Sequence, residues 1–193
     1  DVNIDKYSAR EKTSMPQDKK IILYSGHLFG WKGADVLAES ASFLKDFLFV
    51  FIGGTAKDVG RFREKYRNSE NVLILGFKPY KELPFYIKAS DVLVLPNVKG
   101  EKISEVYTSP LKLFIYMASC RPILASDLPS LREILDESSA VFFEPGQPEK
   151  LAEGIKKVVE DENLANSISA KAFERVQSFT WEKRVYGILT FIN

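Results

Sequence analysis

Two lysines in this sequence occupy positions where a cation is locally unfavourable. Lys32 lies at the predicted start of one helix, and Lys112 lies at the predicted start of another, in the run TSPLKLFIYMASC. Because the N-terminus of a helix carries a partial positive charge, a lysine there is destabilising unless an anion compensates it. A bound phosphate would satisfy the free N–H groups, the helix dipole and both lysines together. The two lysines therefore predict an anion site.

Each of these residues also has a purely structural interpretation. Exposed lysines occur at helix starts without any ligand, and His27, the only histidine, could be a loop residue that bonds to the backbone. Ser109 is a good N-cap and Pro110 fits the first helical position whether or not a ligand binds. Glu105, in the loop before this helix, is either a ligand contact or an ordinary surface glutamate.

The loop sequences after the predicted strands argue against two classes of nucleotide-binding protein but do not identify the ligand. The loop after the first strand reads SGHLFGWKG, and no Gly-x-Gly-x-x-Gly or Gly-x-x-x-x-Gly-Lys-Ser/Thr motif occurs in the chain. This speaks against a nicotinamide oxidoreductase and against a P-loop nucleotidase. Gly26 ends the first predicted strand, and Gly53 and Gly54, after the second, fit a tight turn as well as the close approach of a ligand.

Short apolar runs alternate with segments that have helical spacing. The runs predict six strands, at 19–26, 47–54, 71–76, 91–96, 122–126 and 140–146. They are continuously apolar, which is typical of strands buried on both faces of a parallel sheet. The alternation predicts a three-layer, Rossmann-like α/β domain with a mainly parallel six-stranded sheet. Ligands bind at the carboxyl ends of such strands, where the candidate residues lie.

Composition limits the domain count and the partners. The chain has 193 residues, 45% of them hydrophobic, which suits one ordinary core. Residues 20–193 are predicted to form that domain, and 1–19 to be an interdomain connection outside its core. With 27 basic and 26 acidic residues, the chain lacks the excess of positive charge that is typical of nucleic-acid-binding proteins. Cys120 is the only cysteine, which excludes an internal disulfide and fits a reducing compartment.

Four segments resemble, in order and spacing, the C-terminal half of family-4 glycosyltransferases of GT-B fold. They are YSGHLFGWKG, FVFIGG, NVLILGFKPYKELPFYIKASDVLVLP and TSPLKLFIYMASCRPILASDLPSLREIL, and the similarity covers nearly the whole chain. The resemblance implies retaining transfer of a sugar from a nucleoside-diphosphate sugar, with no metal or other cofactor required. The reaction would occur between two Rossmann-like domains, of which this one holds the donor.

The resemblance also implies roles for individual residues. Lys32, together with His27 where many members have an arginine, would neutralise the diphosphate leaving group and so act in catalysis. Fixed cations suit that task because negative charge builds on the leaving group. Phe77 and Lys78 would frame the base, and residues 108–111 would meet the phosphates or the sugar. The full set of implied donor-binding residues is Gly26, Gly54, Phe77, Lys78, Glu105, Tyr107, Thr108, Ser109, Pro110, Leu111 and Lys112.

Two positions depart from the family pattern. Many members carry two glutamates eight positions apart, which touch the donor sugar and the ribose, but this chain has Tyr107 and Ile115 there. An isoleucine cannot accept a hydrogen bond from a ribose hydroxyl, and a buried hydroxyl without a partner is costly. Ile115 also lies four residues after Leu111, so its position fits core packing.

The sequence thus predicts the donor-binding domain of a retaining hexosyltransferase of polysaccharide biosynthesis, acting on a glycan, lipid or other acceptor. We expect it to be inactive alone because the N-terminal GT-B domain is missing. We also expect a cytoplasmic location, and membrane contact only through the missing half. The alternative is a GT-B-like module with a degenerate donor site and a structural or partner-binding role. A nucleotide-sugar epimerase fits the order of motifs less well.

Overall fold

Six parallel strands form a single sheet in the order β3-β2-β1-β4-β5-β6. The structure is a computed structural model that describes residues 4–102, 104–105 and 111–192. The strands are β1 (Ile21–Ser25), β2 (Leu48–Ile52), β3 (Val72–Gly76), β4 (Val92–Leu95), β5 (Ile123–Ser126) and β6 (Val141–Phe143). All six predicted strands are present, and the predicted Rossmann-like α/β fold is confirmed.

Helices cover both faces of the sheet and make a three-layer domain. They are α1 (Lys6–Thr13), α2 (Ala34–Ser40), α3 (Ala56–Lys65), α4 (Leu83–Ala89), α5 (Leu111–Met117), α6 (Pro129–Arg132), α7 (Pro148–Glu160), α8 (Glu162–Val176) and α9 (Trp181–Ile192). Successive side chains of β1 enter different cores: Ile22 and Tyr24 pack on one face, and Ile21 and Leu23 on the other. Burial on both faces explains why the strands read as continuous apolar runs.

The strand order reverses between β1 and β4. From β1 the chain adds β2 and β3 on one side, and from β4 it adds β5 and β6 on the other. The loops that leave the carboxyl ends of β1 and β4 therefore diverge, and the crevice between them is where ligands bind in open α/β sheets. The loop after β1 carries Lys32, and the loop after β4 leads to Lys112.

Residues near the N-terminus are part of the packed domain. Helix α1 packs against α4, and Ala9 and Met15 are buried in the core on that face. The expectation that 1–19 lies outside the core is wrong in this respect, because a short helix with a single small apolar residue gives little periodic signal. The role of this segment as an interdomain connection stays a prediction.

A buried arginine fastens α1 to the sheet. Arg10 is 3% exposed, and its guanidinium donates to the carbonyl oxygens of Ala89 (2.9 Å) and Gln17 (2.9 Å) and to Asp91 Oδ2 (2.6 Å). Asp91 Oδ2 also accepts from the backbone N–H of Ile21 at 2.7 Å. One ion pair thus joins α1 to the starts of β1 and β4.

Replacing the arginine tests this attachment. We expect Arg10→Met to lower the free energy of unfolding by about 3 kcal/mol, because Asp91 would keep a nearly buried charge without its main partner. Lys6→Met is the matched control: Lys6 contacts Asp91 Oδ1 at 2.9 Å but its side chain is 43% exposed. Its loss should be below about 1 kcal/mol in urea unfolding followed by circular dichroism. Equal losses in the two variants would contradict the assignment.

Candidate functional site at the strand-order reversal

The loops after β1 and β4 are held together by backbone contacts. The carbonyl oxygen of Trp31 accepts from the N–H of Val98 (3.1 Å) and from Ser104 Oγ (3.3 Å). Gly33 lies against Pro96 with a φ of +71°, and a Cβ placed there would overlap the Pro96 carbonyl oxygen. Only glycine allows both this backbone conformation and this approach. Lys32 is thereby fixed beside the end of β4.

Lys32 does not lie in the first turn of α2, where the sequence placed it. It ends a 3₁₀ turn (Gly30–Lys32), and Gly33 separates it from Ala34, the first residue of α2. Its Nζ lies 4.0 Å from the centroid of the Trp31 ring, and burial lowers the pKa of Lys32. Lys32 is thus a partly buried cation on an aromatic face, which a ring quadrupole stabilises modestly.

Lys112 carries an amine that is buried without a hydrogen-bond partner among the described residues. The stem of this side chain is partly exposed, but the Nζ is shielded from solvent. The Nζ lies 4.0 Å from the centroid of the Tyr24 ring. It also lies 3.5 Å from the position that a Cβ on Gly26 would occupy. Burial and the nearby ammonium of Lys32 lower the pKa of Lys112 well below its usual value. We call Lys32 and Lys112 the lysine pair.

Two buried phenols lie at the end of β1: Tyr24, whose ring faces Lys112 Nζ, and Tyr116, which is bonded to Ser25. Tyr116 Oη accepts from the N–H of Ser25 at 2.8 Å and lies 3.0 Å from Ser25 Oγ. Burial raises the pKa of Tyr116 to about 12, and it also raises the pKa of Tyr24, whose hydroxyl donates to the His27 carbonyl oxygen at 2.6 Å. Both phenols remain protonated at neutral pH, so they supply no negative charge to the lysines.

Four further predicted side chains have different neighbours: those of His27, Glu105, Phe77 and Lys78. His27 is exposed and stacks on Phe29 at a centroid distance of 4.9 Å. Glu105 Oε1 accepts from the N–H of Gly100 at 2.6 Å, so this carboxylate is engaged in its own loop. Phe77 is 76% exposed, and Lys78 Nζ lies 5.6 Å from the Tyr86 ring centroid. The predicted residues Tyr107, Thr108, Ser109 and Pro110 lie outside the described residues.

The two predicted glycines have different neighbours. Gly26 begins the loop beside the lysine pair, and its N–H donates to the Ile52 carbonyl oxygen at 2.8 Å. Gly54 lies where a Cβ would come within 3.0 Å of the Leu28 side chain, at a φ of +84°. Gly26 therefore belongs to the site itself, whereas Gly54 permits the close packing of two loops beside it.

An apolar cleft of about 630 Å³ runs along the other side of α5. Leu111, which is 69% exposed, and Ile115 lie on this wall, whereas Lys112 is directed towards Tyr24. The lining residues are Tyr80, Leu111, Phe114, Ile115, Ser178, Phe179, Thr180, Trp181, Lys183 and Arg184. Ile115 is thus partly buried against the core and also lines a cleft that has no carboxylate among these residues.

Two buried polar residues at the same edge of the sheet were missed. Asn97 follows β4 beside Gly33, and Ser126 ends β5. Asn97 Oδ1 and Ser126 Oγ are both buried and lack a hydrogen-bond partner in the described ranges. A polar residue directly after an apolar strand, as in DVLVLPN, is the signal that could have identified Asn97.

The described residues contain no group of three or more histidine, cysteine, aspartate or glutamate side chains arranged for a metal ion. None of the described helices is long and apolar enough to cross a membrane. The expected absence of a cofactor stays a prediction.

The structure is a Rossmann-like α/β domain with two lysines at its strand-order reversal. Residues 5–175 match the family of glycosyl transferases group 1, and the chain belongs to this family. It is 27% identical to an uncharacterized glycosyltransferase of Methanocaldococcus jannaschii over 169 residues, 86% of this chain and 46% of that protein. The chain therefore spans about half the length of such relatives.

Solved structures show the same fold. HepE of Anabaena, in complex with UDP and glucose, matches with a TM-score of 0.82 and 15% identity over 98% of this chain and 53% of that chain. The C-terminal domain of a glycosyl transferase group 1 family protein from Francisella tularensis matches with a TM-score of 0.72 and 20% identity, over 90% and 92%. The fold is thus that of GT-B glycosyltransferases, and a domain of this extent has been solved on its own.

Adding a methyl group at Gly33 should disturb the loop that carries Lys32. We expect Gly33→Ala to lower the free energy of unfolding by about 2 kcal/mol or more, because of the overlap with Pro96 and the left-handed φ. Gly30→Ala is the control in the same loop, since nothing lies within 4 Å of its added Cβ. Thermal unfolding should leave Gly30→Ala within about 0.5 kcal/mol of the parent. A tolerated Gly33→Ala would show that the two loops are not in contact.

Removing the buried amine should stabilise the ligand-free protein. We expect Lys112→Met to raise the free energy of unfolding by about 1–3 kcal/mol, because a buried polar group without a partner is replaced by an apolar one. Folding lowers the pKa of Lys112 from 10.5, so the unfolded chain binds more protons in the interval below that value. The stability of the parent therefore rises with pH there, and the advantage of the variant shrinks.

Denaturant unfolding at several pH values measures both effects. Lys156→Met, at an exposed position on α7, is the control and should change stability by no more than about 0.5 kcal/mol at any of them. A destabilised Lys112→Met would indicate that the amine has a partner in the folded protein.

Proposed function

We propose that this chain is the donor-binding domain of a family-4, retaining glycosyltransferase that uses a nucleoside-diphosphate sugar. The observation that carries the proposal is the buried Nζ of Lys112, which lacks a partner among the described residues and lies near Lys32 where the strand order reverses. A buried amine without a partner is unfavourable by itself, and such exceptions to local rules concentrate at functional sites. A diphosphate would supply the missing negative charge.

The lysine pair suits a leaving diphosphate. When the bond between the sugar and the diphosphate breaks, negative charge builds on the phosphate oxygen. The amines of Lys32 and Lys112 are already in place, on the Trp31 and Tyr24 rings, and stabilise that charge with little movement of the side chains. We propose that Lys32 and Lys112 bind the diphosphate, and that His27, in the same loop as Lys32, assists from the exposed side. Retention of configuration, the hexosyl group and the absence of a metal follow from the family resemblance.

We propose that the rest of the reaction takes place on residues outside this sequence. Because relatives are about twice as long, we propose that another domain of the same protein holds the acceptor, a glycan, lipid or similar molecule, and that this domain alone is inactive. We place the protein in the cytoplasm, with any membrane contact made through that other domain.

Binding of nucleoside diphosphates tests this proposal. In calorimetric titration of the chain with UDP, GDP and ADP, we expect saturable binding of at least one nucleotide. UDP comes first because HepE was solved with it. Lys32→Ala should weaken that binding about tenfold or more, because a charged hydrogen bond contributes about 1.5–3 kcal/mol. Lys156→Ala, which removes an exposed lysine from α7, should bind like the parent.

The second candidate function is a GT-B-like module that has lost its donor. Ile115 favours it, because its side chain lines an apolar cleft where the family commonly has a carboxylate for the ribose. If neither this chain nor a longer form of the protein bound any of the three nucleotides, that result would support the module. If Lys32→Ala bound as tightly as the parent, the assigned site would be wrong.

A further inference from the structure

Among the described residues, the surroundings of Lys112 Nζ contain a second cation and no compensating negative charge. Tyr24 faces it from β1, the backbone of Gly26 from the following loop, and the Lys32 ammonium from the 3₁₀ turn. On its own helix Tyr116 lies one turn away, protonated and bonded to Ser25. No salt bridge reaches Lys112 within the described residues. The undescribed stretch 106–110 reads VYTSP and contains no acidic residue.

Such an arrangement disfavours the charged form of the amine. Transfer of an ammonium ion from water to a site without a counter-ion is strongly unfavourable, and a like charge nearby adds to the penalty. A buried lysine escapes the penalty by releasing its proton. Both amines lie on an aromatic ring, but the amine of Lys112 is the more buried of the two, so Lys112 is the member that releases its proton first.

We propose that Lys112 is uncharged while the site is empty and takes up a proton from the solvent when an oligophosphate binds beside it. The proposal rests on the function proposed above and adds a protonation step to ligand binding. The ligand supplies the missing negative charge, which favours the ammonium form, and the proton converts Lys112 from a neutral amine into a partner for a phosphate oxygen.

The coupling has a direction that can be checked. Because the bound state holds one more proton, affinity for the oligophosphate falls as pH rises through the interval between the pKa of Lys112 in the empty protein and its higher pKa in the complex. A nucleoside diphosphate carries more negative charge than its sugar ester. It therefore draws the proton onto Lys112 more strongly, and departure of the diphosphate from the sugar is accompanied by completion of this proton uptake.

The charge of the empty site can be measured without any ligand. In protein carrying ¹³C-labelled lysine, the Cε and Hε chemical shifts report the ionisation of each amine as pH is raised. The signal that is missing in Lys112→Met identifies Lys112. We expect it to titrate well below the other lysines. Titration of Lys112 near the ordinary lysine value of 10.5 would overturn the inference, whether or not nucleotides bind.

Proton uptake is measured by titrating the chain with UDP at pH 8 in Tris and in HEPES, whose ionisation enthalpies differ. At this pH the terminal phosphate of UDP is largely deprotonated already. We expect the observed enthalpy to depend on the buffer by an amount equal to uptake of about 0.5–1 proton per UDP. Lys32→Met, although weaker in binding, should retain most of the buffer dependence, because burial is the main cause of the lowered pKa of Lys112. Lys112→Arg should lose it because arginine stays charged.

The outcomes distinguish this inference from the proposed function. Binding of UDP with no buffer dependence would overturn the inference and leave the donor site in place. Uptake lost in Lys32→Met but kept in Lys112→Arg would overturn the assignment to Lys112. Absence of binding by UDP, GDP and ADP, in this chain and in a longer form of the protein, would reject the proposed function and, with it, the ligand-linked protonation.

Discussion

The burial of one amine, Lys112 Nζ, is the constraint on which the interpretation of this domain depends. A lysine that loses contact with water without gaining a counter-ion lowers the stability of the fold. The surrounding groups do not offset this loss of stability, because Tyr24 and Tyr116 are neutral phenols and Lys32 is itself a cation. The domain therefore keeps a group that is unfavourable when the site is empty, and our proposal explains this cost by the binding of an anion.

The remainder of the fold supports that site from both sides of the strand-order reversal. Gly33 allows the loop after β1 to rest on the backbone of Pro96, which fixes Lys32. Tyr116, held by Ser25, ties α5 to the end of β1 and so places Lys112 over the Tyr24 ring. At the opposite ends of these strands, the Arg10–Asp91 ion pair joins α1 to the starts of β1 and β4. Elements distant in sequence thus converge on one small cationic site.

The sequence predicted the sheet well and the site only partly. Continuous apolar runs identified all six strands because burial on both faces leaves a strong signal. The lysine pair was identified for a reason that is only half correct: Lys32 closes a 3₁₀ turn and is not in a helical first turn, and the importance of Lys112 comes from burial, which no local pattern reveals. Loop geometry, which hydrophobic periodicity does not specify, determines the hydrogen bond from Gly100 to Glu105 and the burial of Asn97. Helix α1 was missed because its contribution to the core comes mainly from Ala9.

The most direct test of the account is a crystal structure of the protein with UDP, determined at a pH where binding is measurable. The account predicts diphosphate oxygens within hydrogen-bonding distance of both Lys32 Nζ and Lys112 Nζ, between the ends of β1 and β4. A diphosphate bound elsewhere, with Lys112 Nζ still on the Tyr24 ring and without a phosphate partner, would contradict the central claim that this buried amine exists to hold an anion.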